Sequence, residues 1–374
     1  MRILHINSNY ADTALHRVMI EHFQFDGDEH VVFVPVHTLP QHPETLGKNV
    51  VIKDCFRKWD RLLFDWKQRK ILHAIEAAIN VAEFDLIHAY TVFTDGNVAK
   101  KLSEKYGIPY IVAVRNTDVN AFFHYMVHLR GRGIRIMNRA QAVLYLSEAY
   151  HQQMIQTYIP AVSREPIEKK THIIPNGIDE FWLNRIYSEK NIGESLKRFQ
   201  NHEIRLIFAG RLDRNKNIGC VIQCMQQMKK IGWKPTLTVL GAATDPSQIE
   251  LVKACAECSY IGPVPKEKLI DYYRDADVYV MPSHTETFGL VYVEAMSQGL
   301  PVVYTKGQGF DGQFAEGTVG YHVDDHDPLT LVQAVQSITT NYATMSSNAV
   351  RYCRSFSWND ICTRYHALYE EITR

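Results

Sequence analysis

The 374-residue chain has no net charge, with 41 lysines and arginines against 41 aspartates and glutamates. Without a global field of one sign, nothing in its composition draws it to nucleic acid. No apolar run approaches the roughly 20 residues that span a bilayer. The opening Met1-Arg2-Ile3-Leu4-His5-Ile6 reads as a strand and lacks the form of a signal peptide, so a cytoplasmic protein is expected. Cysteine is scarce: seven residues, scattered and odd in number, which excludes a disulfide framework and suits reduced thiols. Cys255-Ala-Glu-Cys258 is a lone CxxC. The nearby Cys220 and Cys224 lie on an amphipathic helical pattern, where small buried cysteines are more common than zinc ligands. Repeats and low-complexity segments are lacking. The first βα turn, Asn7-Ser8-Asn9-Tyr10-Ala11, carries no GxGxxG, so no dinucleotide is expected there.

What is present is the material of two ordinary domains, 46% hydrophobic and 22% charged. Strand patterns fall at 2–6, 31–36, 50–52, 86–89, 110–114, 142–146 and 172–174. Helical patterns at 60–81, 95–106 and 148–158 separate several of them, which implies a parallel, doubly wound sheet. The alternation restarts at 204–209 and continues through 236–240, 260–265 and 278–281. Helices at 328–338, 342–354 and 358–373 close the chain.

The most chemically distinctive stretch is 281–304, MPSHTETFGLVYVEAMSQGLPVVY. A strand ends at Pro282, a polar turn follows, and a helix begins near Gly289. Ligands of open α/β sheets bind at the carboxyl ends of strands. Thr287, Phe288, Gly289 and Leu290 offer backbone amides at a helix N-terminus, which suits a phosphate. Glu286 sits in the turn and Glu294 more than one turn into the helix. A carboxylate in the second position can hold a vicinal diol; equally, both can favour the helix dipole from solvent.

This segment resembles the E-x7-E signature of retaining glycosyltransferases of family 4, which have the GT-B fold. Ile174-Pro-Asn-Gly-Ile-Asp179 is similar to that family's I-P-N-G-I-D, and Gly210-Arg-Leu-Asp-Arg-Asn-Lys216 to its G-R-L-x-x-x-K loop. The resemblance implies α/β architecture of the GT-B type: two Rossmann-like doubly wound parallel-sheet domains facing across a cleft. It implies an N-terminal acceptor domain at 1–178 and a nucleotide-sugar domain at 203–357. A linker at 179–202 and a last helix at 358–374, crossing back to the first domain, complete the expectation. It further implies that Glu286 contacts the donor sugar, Glu294 the nucleotide ribose, and the Phe288-Gly289-Leu290 amides the diphosphate. Arg211 and Lys216 would stabilise the leaving diphosphate. Gly210, Asn176, Thr287 and Val264 complete the donor side, Val264 meeting the base through its backbone.

On the acceptor side the chain departs from the family. Asn9 stands where many members have a Gly-Gly loop, and only His88 remains of a histidine pair. Arg115 replaces the histidine of H-G-x-D while Asp118 is kept. An arginine stays charged and donates in a fixed fork, so it cannot act as a base. It could hold the donor sugar or an acceptor phosphate, or form an ion pair with Asp118 that orders the loop.

Residues 53–70 carry seven lysines and arginines against three aspartates, with Phe56, Trp59, Leu63 and Trp66 at helical spacing. An amphipathic helix packed on the sheet is favoured over one that touches anionic lipid. The basic cluster 130–135 could meet an acceptor phosphate, a membrane surface, or only solvent.

The expected function is metal-independent, retaining transfer of a hexose from a nucleoside diphosphate sugar, UDP favoured over GDP. The acceptor would be a glycan, lipid-linked or cell-envelope polymer, at the inner face of the membrane if the basic segments touch lipid. No cofactor is expected beyond the sugar nucleotide, and no metal, since no Asp-x-Asp motif stands at a fitting place. A sugar-nucleotide 2-epimerase and an inactive partner subunit are the rival readings.

Overall fold

The computed structural model describes residues 1–187, apart from 24 and 26, and residues 192–374. They form two compact units: 1–146, 150–175 and 359–374 make the first, and 147–149 with 176–358 the second.

The first unit is built on β1 (Arg2–Ile6), β2 (Glu29–Val36), β3 (Val50–Asp54), β4 (Leu86–Ala89), β5 (Tyr110–Val114), β6 (Ala142–Tyr145) and β7 (Thr171–Ile173). They pair in parallel in the order β3-β2-β1-β4-β5-β6-β7. The central strands β4 and β5 are buried at every position, as strands covered on both faces by crossover helices must be. The helix Phe64–Ala78 covers one face through Gln68, Ile71 and Ile75. Residues 359–374 pack here: Cys362, Tyr365 and Tyr369 are buried, and Tyr369 stacks on Phe23.

The second unit carries β8 (Glu203–Ala209), β9 (Lys234–Leu240), β10 (Cys258–Gly262), β11 (Val278–Val280), β12 (Val302–Thr305) and β13 (Gly320–Val323), all parallel, in the order β10-β9-β8-β11-β12-β13. In each sheet the order reverses once, between β1 and β4 and between β8 and β11. Loops leaving the carboxyl ends of those strand pairs splay apart there and leave room for a ligand.

Three sequence expectations change. The stretch 179–202 is no bare linker. It carries the helices Glu180–Leu183 and Ile192–Gln200, both within the second unit. Trp182 is buried, and Ser195 and Arg198 bond Asp277, so polar composition here marks specific side-chain bonding (188–191 lie outside the described residues). The aromatic repeat at 56–66 does not pack as one stripe. A 3-10 turn at Lys58–Leu62 is followed by a non-helical Leu63 at φ −112° and ψ 76°, which resets the helical phase. Phe56 is buried, whereas Trp59, Leu63 and Trp66 are 79%, 64% and 52% exposed. The 130–135 cluster opens a helix, Arg130–Arg139. Its Gly133 admits the rings of Phe93 and Phe123, each of which would come within 2.7 Å of an added Cβ.

Candidate active site

The second unit's site grows from the two loops at its strand-order reversal. After β8, residues 210–217 form a turn in which Asp213 caps the Lys216 amide with Oδ1 and accepts the Arg211 Nε at 2.8 Å with Oδ2. After β11, residues 281–289 form the second loop. Asn215 ties the loops together: its Nδ2 donates to Thr285 O at 2.9 Å and its Oδ1 accepts from Thr285 N at 3.0 Å. Asn217 adds bonds from Nδ2 to Pro282 O and Asp325 O. Lys216 stands between these two ties, and its Nζ meets Glu286 Oε2 at 2.5 Å. Both side chains are largely covered, at 15% and 13% exposure, so the pair is held in a poorly hydrated place where its field is strong.

The turn is braced from the other side by a glycine-rich loop, residues 307–317, which follows β12. Gln308 Oε1 accepts the Glu286 amide at 3.0 Å, and Gly309 N donates to Glu286 O at 2.9 Å. Phe288 buries its ring against Phe310 and Phe356, which leaves its amide at the start of the helix Leu290–Ser297. Gly289 caps that helix at φ +79°, and a Cβ there would fall 2.3 Å from the Tyr292 ring. Tyr292 in turn bonds Met281 O at 2.7 Å and fixes the helix to the end of β11. The Thr287 amide donates to Glu286 Oε1 at 3.1 Å, so the expected set of phosphate-facing amides narrows to Phe288, Gly289 and Leu290.

Glu294 belongs to a neighbouring group. Burial pushes its carboxyl up to about 7, Asp179 adds to the rise, and Lys266 and a hydrogen bond from Trp182 oppose it. Lys266 is itself paired with Asp179. Val264 lies half-buried two residues before Lys266, in the loop after β10. Asn176 is buried, and Gly177 lies against the Trp358 indole. Gly210 N bonds Leu240 O at 3.0 Å, which sets the start of the Arg211 loop. Arg211 is 63% exposed and free to swing toward a ligand on the Asp213 tether. Sequence reasoning missed Trp182, Asn215 and Gln308. Only their neighbourhood to recognised motifs signalled them.

In the first unit the structure bonds Arg115 to Asp118 through its amide and sets both His88 and Arg115 against Tyr90. His88 is fully buried, with Nδ1 at 2.7 Å from the Tyr369 hydroxyl and its ring stacked on Tyr90. Burial pushes its pKa well below the usual range. It lies inside β4, and its Nε2 is buried without a hydrogen-bond partner among the described residues. Asp118 is also buried and accepts the amides of Val92, Phe93 and Arg115. It orders the loop through backbone bonds; no salt bridge to the Arg115 side chain is found among the described residues, although the Arg115 charge attracts the carboxylate. Burial raises its carboxyl to about 6 against the pull of those bonds. Asn9 is half-buried and donates its amide to Asn7 Oδ1. Arg115 sits at the carboxyl end of β5, as expected, 8% exposed.

Among the described residues two groups could hold a cation: His284, Asp325 and His326, and Asp311, Glu316 and His322. Neither includes the CxxC cysteines; Cys258 Sγ instead lies 3.9 Å from Met225 Sδ.

A family model described as Glycosyl transferases group 1 matches residues 185–355, and another described as Glycosyltransferase Family 4 matches residues 17–180. The chain belongs to this glycosyltransferase family. The D-inositol 3-phosphate glycosyltransferase of Corynebacterium efficiens is 38% identical over 117 residues, 30% of this chain and 28% of that protein. That of Corynebacterium kroppenstedtii is 30% identical over 187 residues, 46% of this chain and 42% of that protein. The chain thus spans less than half the length of these two relatives; for the Paenarthrobacter aurescens enzyme it is 25% identical and spans 70%. Among solved structures, sucrose-phosphate synthase from Thermosynechococcus elongatus superposes with a TM-score of 0.72 at 20% identity, over 100% of this chain and 99% of that one. Anabaena HepE in complex with UDP gives 0.72 at 19% identity over 99% and 100%. At such identities the likeness establishes the fold, which is GT-B.

Proposed function

We propose that the chain transfers a hexose from a nucleoside diphosphate sugar, uridine favoured over guanosine, to a hydroxyl of an acceptor, with retention and without a metal. The observation that carries this reading is the Lys216–Glu286 pair, on a turn that Asn215 and Gln308 brace and that leads into the Phe288–Leu290 amides. A diphosphate accepted by those amides would draw the Lys216 ammonium from Glu286 and free the carboxylate for a sugar hydroxyl. Arg211 would add a second cation. Charge that develops on the leaving diphosphate is the main electrostatic demand of the reaction, and fixed donors and cations meet it. The acceptor oxygen forms its bond to the anomeric carbon as the bond to the diphosphate oxygen breaks, on the same face, and the leaving diphosphate takes the hydroxyl proton. Glu294 with Trp182 would hold the ribose, and the Val264 backbone the base. The solved complexes of the HepE neighbour with UDP and UDP-glucose support the choice of uridine.

The exposed Trp59, Leu63 and Trp66 adjoin a second exposed run, Tyr125, Met126 and Val127. Phe64 lies 6.3 Å from Phe122, and Arg132 covers the Phe64 ring and pairs with Asp65. Exposed aromatics interleaved in sequence with Arg57, Lys58 and Arg69 suit an anionic bilayer surface, where such rings sit at headgroup level. We therefore place the acceptor at a membrane, lipid-linked or part of an envelope polymer.

The test is transfer from UDP-hexoses by wild type, Lys216→Ala and Arg211→Ala. Losses of roughly 100- to 1,000-fold for Lys216→Ala are expected. Near wild-type rates in both variants would refute the assignment, and absence of any transfer or hydrolysis would favour the inactive-subunit reading.

A further inference from the structure

The carboxyl edge of the first unit's sheet holds a second polar constellation. Asn7 follows β1, Tyr90 follows β4 and Arg115 follows β5, so the three stand side by side where the strand order reverses. His16, on the helix Ala14–Glu21, packs its ring 5.0 Å from that of Tyr90. The Arg115 Cζ lies 6.0 Å from the same ring centre. Besides His88, stacked on the same ring with its Nε2 unpartnered, three side chains at this edge are more than nine-tenths buried, and each leaves a polar atom without a hydrogen-bond partner among the described residues. These atoms are Asn7 Nδ2, His16 Nδ1 and Arg115 Nη2.

Buried polar atoms are rarely orphaned, and three at one edge of the sheet call for a common partner. The chemistry of that partner follows from the atoms. Asn7 Oδ1 accepts the Asn9 amide at 3.0 Å, so the orphan on Asn7 is its donating NH2. Arg115 is a cation whose Nε reaches Tyr90 O at 3.4 Å and whose side chain bonds Tyr365. Neither partner carries the negative charge that a buried guanidinium requires. Asp118, three residues on, directs its oxygens to backbone amides. Burial holds His16 far below the usual histidine range, at about 3, so it stays neutral and has one N–H to offer. This edge of the sheet therefore presents one fixed positive charge, partly balanced by the Asp118 carboxylate, and neutral donors.

We propose that Asn7, His16 and Arg115 form a seat for an oxyanion, the phosphate group of a phosphorylated acceptor. Arg115 supplies the charge through the fork that suits phosphate, and Asn7 and His16 complete the donor set. The identity of the ligand as acceptor rests on the transferase reading above; the seat itself does not.

Calorimetric titration of the full chain, saturated with UDP so that the donor loops are occupied, separates the two. Inorganic phosphate and glucose 6-phosphate are the probes, with glucose as the uncharged control. Both phosphates are expected to bind and glucose to bind far more weakly. Asn7→Asp, which swaps the orphan donor for an acceptor at nearly constant volume, and Arg115→Gln are each expected to weaken both about 10- to 100-fold. UDP affinity is expected to stay unchanged in both, which also reports that the variants fold; Arg115→Lys, which keeps the charge but not the fork, should fall between. Glucose 6-phosphate binding that exceeds inorganic phosphate marks an acceptor subsite; equal binding marks a seat for the free ion alone and overturns the acceptor claim. Phosphate that fails to bind, or binds the folded variants as it binds wild type, overturns the seat and leaves water as the occupant. Phosphate binding lost in both variants, in a chain that binds no nucleotide, keeps the seat and removes the donor reading instead.

Discussion

Replacing Glu294 with glutamine is expected to raise the stability of the protein and lower its affinity for the nucleotide. Burial, reinforced by Asp179, lifts the carboxyl from 4.5 to about 7 in the folded chain. Between those values the unfolded chain releases a proton that the folded chain keeps. Stability therefore falls as pH rises through this window, and the whole penalty is in place above pH 7. At about 1.4 kcal/mol per pH unit the ceiling is about 3 kcal/mol, and partial solvent access brings the working figure to about 1–2 kcal/mol. Glutamine cannot ionise and retains an acceptor for the Trp182 N–H. Glu294→Gln should therefore melt roughly 2–8 °C above wild type at pH 8, with the difference vanishing near pH 4. The same change removes a charged acceptor from the ribose hydroxyls and should weaken UDP about tenfold at pH 8. For wild type, the affinity should rise between pH 6 and 8 as the carboxylate forms. Scanning calorimetry from pH 4 to 8.5 and titration with UDP read both. A variant less stable than wild type at pH 8, or a stability difference independent of pH, would refute the reasoning about burial.

Other outcomes follow from the same geometry. Gly289→Val places a branched side chain at φ +79° against Tyr292, and should lower the urea midpoint by the equivalent of about 1–3 kcal/mol while abolishing UDP binding. Chelation with EDTA should leave the transfer rate within about twofold if no metal is used, since mutagenesis attributes losses of about 100-fold or more to electrostatic groups that act in the step. A rate that collapses and returns with added zinc or manganese would overturn metal independence and direct attention to His284, Asp325 and His326. Trp59→Ser with Trp66→Ser should reduce co-sedimentation with vesicles containing phosphatidylserine several-fold, with transfer to a soluble acceptor unchanged; equal sedimentation would remove the membrane reading.

Much of the fold was legible because its signals are local. β1, β4 and β5 and the helix Asp95–Tyr106 follow from continuous apolar runs and clear boundaries. β13 was not, since Gly320-Tyr-His-Val323 follows a glycine-rich loop and shows only two fully buried positions. The helix Ile192–Gln200 escaped notice because its packing rests on Ser195 and Arg198 bonding Asp277, a partner about 80 residues away in sequence. The periodicity of Phe56, Trp59, Leu63 and Trp66 misled because it presumes one unbroken helix, and the break at Leu63 turns three of those side chains outward. In the site, Arg211, Lys216, Glu286 and Glu294 could be named from motifs. Trp182, Asn215 and Gln308 could not, for each acts through a contact that only the fold creates. His88 shows the converse: a residue type apt for chemistry, enclosed by Tyr90 and Tyr369.

The proposal of a donor site in the second unit is tested most directly by titrating the full chain with UDP. Saturable binding at one site per chain, stronger than for GDP or ADP and weakened at least tenfold by Lys216→Ala in a folded variant, is the predicted result. Absence of binding by any nucleoside diphosphate, or UDP binding indifferent to Lys216→Ala, would contradict it.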